Sequence, residues 1–308
     1  MEVRGPWQAA AVKVRIGYGL GTRASSDPDR FAALVTGLER LRFDSLWLSE
    51  RVTGDCPDPI VGLAMAAGLT TKIKFGFSVL VLPGRNPMLL AKELATLDRL
   101  SHGRLLPAFG LGAVDPGEHQ AFGVERGDRA AMFNEALPLL RRFWGGESVD
   151  HEGRFHNYEG AVVRPTPQQD PLEIWLGGIA PSELKRCGRL GDGWLPSFCT
   201  PDDVRDGIVA IQQHAAEAGR SIDPEHFGAL LPYCDGPIPD LVAAGIARRR
   251  PGVDPAEVVA SGLDGLRKMI EQHIHVGGSK FVVIPLVEPD DWDAHLAEVA
   301  ETLLPLQI

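Results

Sequence analysis

Cysteine is scarce and unpaired in this sequence: four in 308 residues, Cys56, Cys187, Cys199 and Cys234, with no Cys-x-x-Cys pair. Such spacing excludes a disulfide scaffold and the usual zinc sites, and it points to a reducing, cytoplasmic setting. A basic block is also missing. Lys and Arg number 31 against 41 Asp and Glu, a formal charge of −10, which excludes nucleic-acid binding through clustered cations. The densest basic run, Arg248-Arg249-Arg250 ahead of Pro251, reads as a solvated helix end. The opening MEVRGPWQAAAVKVRIG lacks the apolar core of a secretory leader, and no apolar run is long enough to span a bilayer. No segment repeats and no low-complexity linker divides the chain. His-Glu-x-x-His, carboxylate-cluster and Gly-x-Ser-x-Gly patterns are absent as well, so no metal site is expected.

What is present is a regular alternation. Hydrophobic residues make up 44% and charged residues 23%, enough for a sizeable core. Short apolar runs, expected as strands, fall at Val12 to Leu20, Asp44 to Glu50, Ile73 to Leu82, Gly103 to Gly112, Glu173 to Gly178, Gly193 to Phe198, His226 to Tyr233 and Lys280 to Leu286. Between them lie segments with apolar residues at helical spacing, such as Phe31, Leu34, Val35, Leu38 and Leu41. Asp58-Pro59 and Asn86-Pro87 each pair a capping side chain with a proline at a helix start. The Gly/His/Tyr-rich stretch from Val149 to Val163 is expected as a hairpin outside the main fold. The runs are continuously apolar, as strands buried on both faces are. Eight such alternations without a linker predict an α/β protein, a single (β/α)8 barrel with insertions over residues 1–308. A doubly wound sheet with a second domain is the rival.

A barrel places its chemistry at the C-terminal strand ends. Glycines and small residues recur there, among them Gly19, Gly110, Gly177, Gly178 and Ser197, and they leave room for a flat ligand. Gly177-Gly178 is either a tight turn or a seat for a phosphate, since Pro181-Ser182 opens a helix whose free N–H groups favour an anion. GYGLGT, from Gly17 to Thr22, fails the dinucleotide fingerprint on spacing and lacks an immediate helix. Glu50, directly after SLWL, is either an acid/base or cofactor-contacting group or an ordinary ion-pair partner. Among nine histidines, only His119 and the His151/His156 pair fall in loops that could overhang a site. His273 and His275 lie two residues apart and face different sides of a helix.

Four blocks then carry a resemblance: RFDSLWLSE, the stretch GFSVLVLPGRNPMLLAKELATLDRLSHGRLLPAFGLG, the stretch AFGVERGDRAAMFNEALPLLRRFWGGESVDHEGRFHNYEGA, and EIWLGGIAPSELKRCGRLGDGWLPS. In order and spacing they resemble the luciferase-like monooxygenases, and within them the actinobacterial branch of deazaflavin-dependent oxidoreductases. The resemblance implies a barrel that binds coenzyme F420, or alternatively FMN, at its C-terminal face. It implies hydride transfer to or from a small organic substrate; the alternatives are an FMN monooxygenase using O2 and a non-catalytic flavin-binding relative. It also implies a non-proline cis peptide at Ser78–Val79 behind the ring, a phosphate at Gly177, Gly178 and Ile179, and an acidic group at Glu50 beside the reacting ring. Two departures stand out. Arg51 occupies a position where relatives often carry His, and Gly112-Ala113-Val114 offers no Glu, with Asp115 the nearest acid. Arg51 is therefore a candidate for holding an acidic substrate or the cofactor's polar edge. A homodimer is expected.

Overall fold

Strands form where short apolar runs are bounded by Asp, Gly or Pro, and most helices begin where a capping side chain precedes a proline. The computed structural model describes residues 12–307. The leaderless reading of the N-terminus, and the assignment of residues 1–308 to one domain, therefore fall partly outside the described residues. In chain order the elements are β1 (Arg15–Leu20), α1 (Pro28–Leu41), β2 (Ser45–Leu48), α2 (Pro59–Leu69), β3 (Lys74–Phe77), β4 (Leu80–Val81), α3 (Pro87–Leu100), β5 (Leu105–Leu106) and β6 (Ala108–Gly110). They continue with α4 (Pro116–Phe122), α5 (Arg129–Trp144), β7 (Val149–Glu152), β8 (Asn157–Ala161), β9 (Trp175–Leu176), α6 (Pro181–Leu190), β10 (Gly193–Trp194) and α7 (Pro201–Glu217). Last come β11 (Gly228–Cys234), α8 (Asp240–Arg249), α9 (Pro255–Val258), β12 (Ala260–Ser261), α10 (Gly262–His275), β13 (Lys280–Pro285) and α11 (Trp292–Leu303).

The helix starts share one device. Asp27, Asp58, Asn86, Asp115, Thr200 and Asp254 each accept hydrogen bonds from amides in the first turn, and a proline follows each of them. The side chain satisfies a donor that the helix leaves orphaned, while proline gives up an amide that had no partner to lose.

Parallel pairing orders one sheet β12-β11-β13-β1-β2-β3-β5 and a second β10-β9-β6-β4. β3 and β4 are one stave interrupted at Ser78–Val79, and β5 and β6 are one stave interrupted at Pro107. Bridges between Trp194 and Phe227, and between Ser197 and Leu230, join β10 to β11. The eight staves thus close into a (β/α)8 barrel, and closure rules out the doubly wound alternative. The breaks correct the expectation of unbroken third and fourth strands. Pro107 has no amide to give to the ladder, and only its carbonyl serves there, accepting from the Trp175 amide at 2.9 Å. The first strand starts at Arg15, not Val12. β7 and β8 form the expected antiparallel hairpin, while α4 lies in the connection after β6 and α8 and α9 in the one after β11.

The N-terminal end of the barrel is plugged. Trp47 and Trp175 meet edge to face with centroids 6.5 Å apart, and the Lys280 ammonium lies 5.9 Å from each ring. Lys280, only 3% exposed, donates to Asp44 Oδ2 at 2.6 Å. Ser45 donates to the same carboxylate and accepts from the Trp47 indole, both at 2.8 Å. Gly76 leaves the space that the Trp47 ring fills, and Gly193 does the same for Trp175. Burial raises the Asp44 carboxyl, but Lys280 and Lys74 outweigh it and hold the carboxyl below its usual range.

Removing one partner of a buried pair leaves the other charge uncompensated. Lys280→Met is therefore expected to lower unfolding free energy by about 3 kcal/mol or more. Adding Asp44→Asn should recover part of that loss, as measured by denaturant midpoints. Equal stability of Lys280→Met and the native chain would show that the plug does not hold the barrel.

Candidate functional site at the C-terminal barrel mouth

A cavity of about 730 Å3 opens at the C-terminal strand ends. Glu50, Arg51, Ser78, Val79, Gly110, Gly177, Gly178 and Ser197 all line it, so eight of the ten residues singled out in the sequence converge. Gly19 and Ile179 are not among its lining residues. Gly19 sits below the mouth, where a Cβ would fall 2.6 Å from Ile284. His119, His151 and His156 do not line the cavity either. The latter two belong to the hairpin segment, which is fastened to Glu135 of α5 through the Phe155 and His156 amides and the His151 ring.

One wall is the interrupted stave. The Ser78–Val79 peptide is cis, where the resemblance implies it. Ser78 is tied to the end of β2: its amide donates to Leu48 O at 2.9 Å, and its hydroxyl lies 3.1 Å from that of Ser49. The Val79 side chain lies over Gly110, in space that a Cβ there would claim.

Glu50 fixes the stave just beyond the break. Its Oε2 accepts from the Val81 amide at 2.6 Å, and its Oε1 pairs with the Arg85 guanidinium. Arg85 in turn donates Nε to the Val81 carbonyl at 2.9 Å. Both polar groups of the Val81 backbone are thus gripped by one ion pair. Burial pushes the Glu50 carboxyl up, against the opposing pull of Arg85 and the Val81 amide. The side chain is only 3% exposed.

Arg51 is also engaged, so the structure gives it partners where the sequence suggested a free cation. It pairs with Asp115 at 3.0 Å and with Glu118 at 3.3 Å. Glu118 further accepts from the Val52 and Thr53 amides and the Thr53 hydroxyl. These bonds bind α4, an insertion after β6, to the loop after β2.

On the far side, Gly178 adopts φ +92, a region that favours glycine. Its Cβ would also fall 2.5 Å from the Glu183 carboxylate. Glu183 Oε2 accepts from the Ile179 and Ala180 amides at 3.0 Å each. A carboxylate of the chain itself thus occupies part of the expected phosphate seat. The Gly178 amide has no acceptor among the described residues, and Arg186, one turn into α6, also lines the cavity.

The roof was missed entirely in the sequence. Leu241, Val242, Gly245, Ile246, Arg248 and Arg249 of α8 all face the cavity, a single face at helical spacing. Arg248 and Arg249 are exposed in the last turn of α8, as the solvated-end reading of the run has it, and they also reach the cavity rim. Arg250 donates to the Phe198 carbonyl and pairs with Asp203, both at 2.8 Å, and the other two line the site. The amphipathic spacing of DLVAAGIARR was the signal available. For α4 it was Asp115-Pro116, the same start signature recognised at Asp58-Pro59.

Residues 11–251 match the family model described as luciferase-like monooxygenase, and the chain belongs to that family. The F420-dependent glucose-6-phosphate dehydrogenase of Kineococcus radiotolerans is 33% identical over 226 residues, a match spanning 66% of each chain. The alignment thus covers slightly under two thirds of that relative. Among solved structures, the coenzyme F420-dependent tetrahydromethanopterin reductase of Methanopyrus kandleri superposes with a TM-score of 0.76 at 20% identity, covering 96% of this chain and 100% of that one. The FMN-bound oxygenating constituent of 3,6-diketocamphane monooxygenase from Pseudomonas putida gives 0.75 at 18%, covering 96% and 99%. At these identities the two structures establish the barrel fold only. No helix among the described residues is long and apolar enough to cross a membrane.

An opposite charge in contact lowers a carboxyl by about one to three pH units. Arg85→Met is accordingly expected to raise the titration midpoint of Glu50 by about one unit or more, read from its carboxyl 13C shift. An unmoved midpoint would mean that Arg85 does not hold the charge of Glu50.

Proposed function

We propose that the protein is an F420-dependent oxidoreductase acting on a small organic molecule, with the cofactor's ring against Val79 and Gly110. The observation that supports this reading most is how the mouth is furnished. No histidine lines it, and its three carboxylates are already engaged: Glu50 by Arg85, Glu183 by two amides, and Glu288 by Arg30 and the Ser25 amide. Such a site binds and orients a reactive group but brings little acid/base chemistry of its own, which suits a cofactor that carries the reaction. Coenzyme F420, when bound, supplies or accepts hydride at C5 of its ring.

The residues present fit such a group. Gly177 leaves room beside a flat ring, and Val79, seated over Gly110, forms its backing. The Gly178 amide and Arg186 would face its phosphate, and Phe133 and Leu176 add apolar wall. Glu50 acts here as a positioning residue, holding the Val81 backbone through its pair with Arg85. The preference for F420 over FMN rests on the 33% identical F420-dependent relative, because the FMN-bound neighbour shares only the fold.

Titration of the purified protein with F420 and with FMN, followed by fluorescence quenching, tests the reading. Tight binding of F420 and weak binding of FMN is the expected result. The reverse order would overturn the cofactor assignment in favour of a flavin monooxygenase, and binding of neither would overturn the functional reading.

A further inference from the structure

The charge at the mouth is lopsided in a way the cofactor's phosphate does not use up. The chain as a whole carries −10, yet every carboxylate lining the cavity is neutralised or hydrogen-bonded by the chain itself. Arg23, Arg186, Arg248 and Arg249 also line it, and none has a carboxylate partner among the described residues. Arg186 belongs to the Gly178 side. Arg248 and Arg249 come from α8, which also supplies Leu241 and Gly245 to the same face.

This placement is held from behind. Val242 and Ile246 pack in a small apolar cluster with Cys234, Val258 and Val259, and Arg250 is fastened to Phe198 and Asp203. One arginine of the run is therefore spent on anchoring the helix, which leaves its two neighbours at the cavity. Arg248 and Arg249 are both exposed at the cavity rim, and partial desolvation there, then the charges of Arg248 and Arg51, push the Arg249 guanidinium below its ordinary value. Like charges gathered at a cavity rim are relieved by an anion.

We propose that the substrate is an anion with an apolar body, a carboxylate or a phosphate ester, whose charged end is held by Arg248 and Arg249 under the α8 roof. The proposal rests on the cavity being the cofactor-bearing site, and it assigns the α8 arginines to the substrate and the Gly178–Arg186 corner to the cofactor. The Leu241 side of α8 and the Phe198 side of the mouth would face the apolar body.

The test uses matched probes and calorimetry on the full chain: phenylacetate and phenyl phosphate against neutral phenylacetamide, with and without F420 present. Exposed charge pairs are individually weak, so the expected preference for the anionic probes is about fivefold to tenfold. Arg248→Gln with Arg249→Gln should abolish that preference and leave F420 affinity within about twofold. Equal binding of charged and neutral probes, or of none, would overturn the proposal and leave the arginines as partners of the helix C-terminus. Loss of F420 affinity in the double variant, with the probe preference intact, would overturn it by giving these cations to the cofactor. Probe binding needs no turnover, so failure of the F420 assignment would show separately, as a missing F420 isotherm beside an intact anion preference.

Discussion

Closing eight strands into a ring commits the chain to filling what the ring encloses, and the Lys280–Asp44 pair between two indoles is how this barrel meets that demand at one end. An ammonium with no water around it is tolerable only against a carboxylate and aromatic faces. Asp44, Trp47 and Trp175 supply both, with Gly76 and Gly193 yielding the room. The other end stays open, with glycines and small residues such as Gly21, Gly112, Gly177 and Ser197 recurring among the larger side chains that line it. A solid floor and an open mouth are thus two outcomes of one pattern of residue sizes along the staves.

Around that mouth, ionised side chains act mainly as fasteners. Glu50 and Arg85 hold Val81 from both sides. Glu118 and Arg51 hold α4 to the loop after β2. Glu288 and Arg30 join the connections after β13 and β1, with the guanidinium also reaching the Pro289 and Asp290 carbonyls. Buried charge is costly unless paired, so each pair fixes a backbone segment in a defined place. The same pairing keeps these carboxylates engaged with guanidinium groups and amides of the chain itself.

The fold was largely legible because its signals are local and repeated. Continuous apolar runs gave the staves, and Asp-Pro or Asn-Pro pairs gave helix starts. Where reading failed, the cause was an interaction between distant residues. The third stave reads as one run from Ile73 to Leu82, and nothing local marks the interruption that Glu50 secures through Val81 and Arg85, 31 and 35 residues further along the chain. Arg51 looks free in sequence because Glu118 lies 67 residues on. Arg248 and Arg250 belong to one basic run, and the positions of Asp203 and Phe198 separate an anchor from a cavity wall. The glycine pair at 177 and 178 lines the cavity, as its place at a strand end suggests, but the Glu183 carboxylate lodged at the following amides follows from the fold of the turn.

The two indoles close the barrel at its N-terminal end, and α8 lines the cavity at the other. Val79 and Gly110 belong to the barrel wall of that cavity, while α8 comes from a connection more than a hundred residues later. The depth of the recess is thus set by two parts of the chain that can change independently: the staves fix its base, and a connecting helix fixes its height.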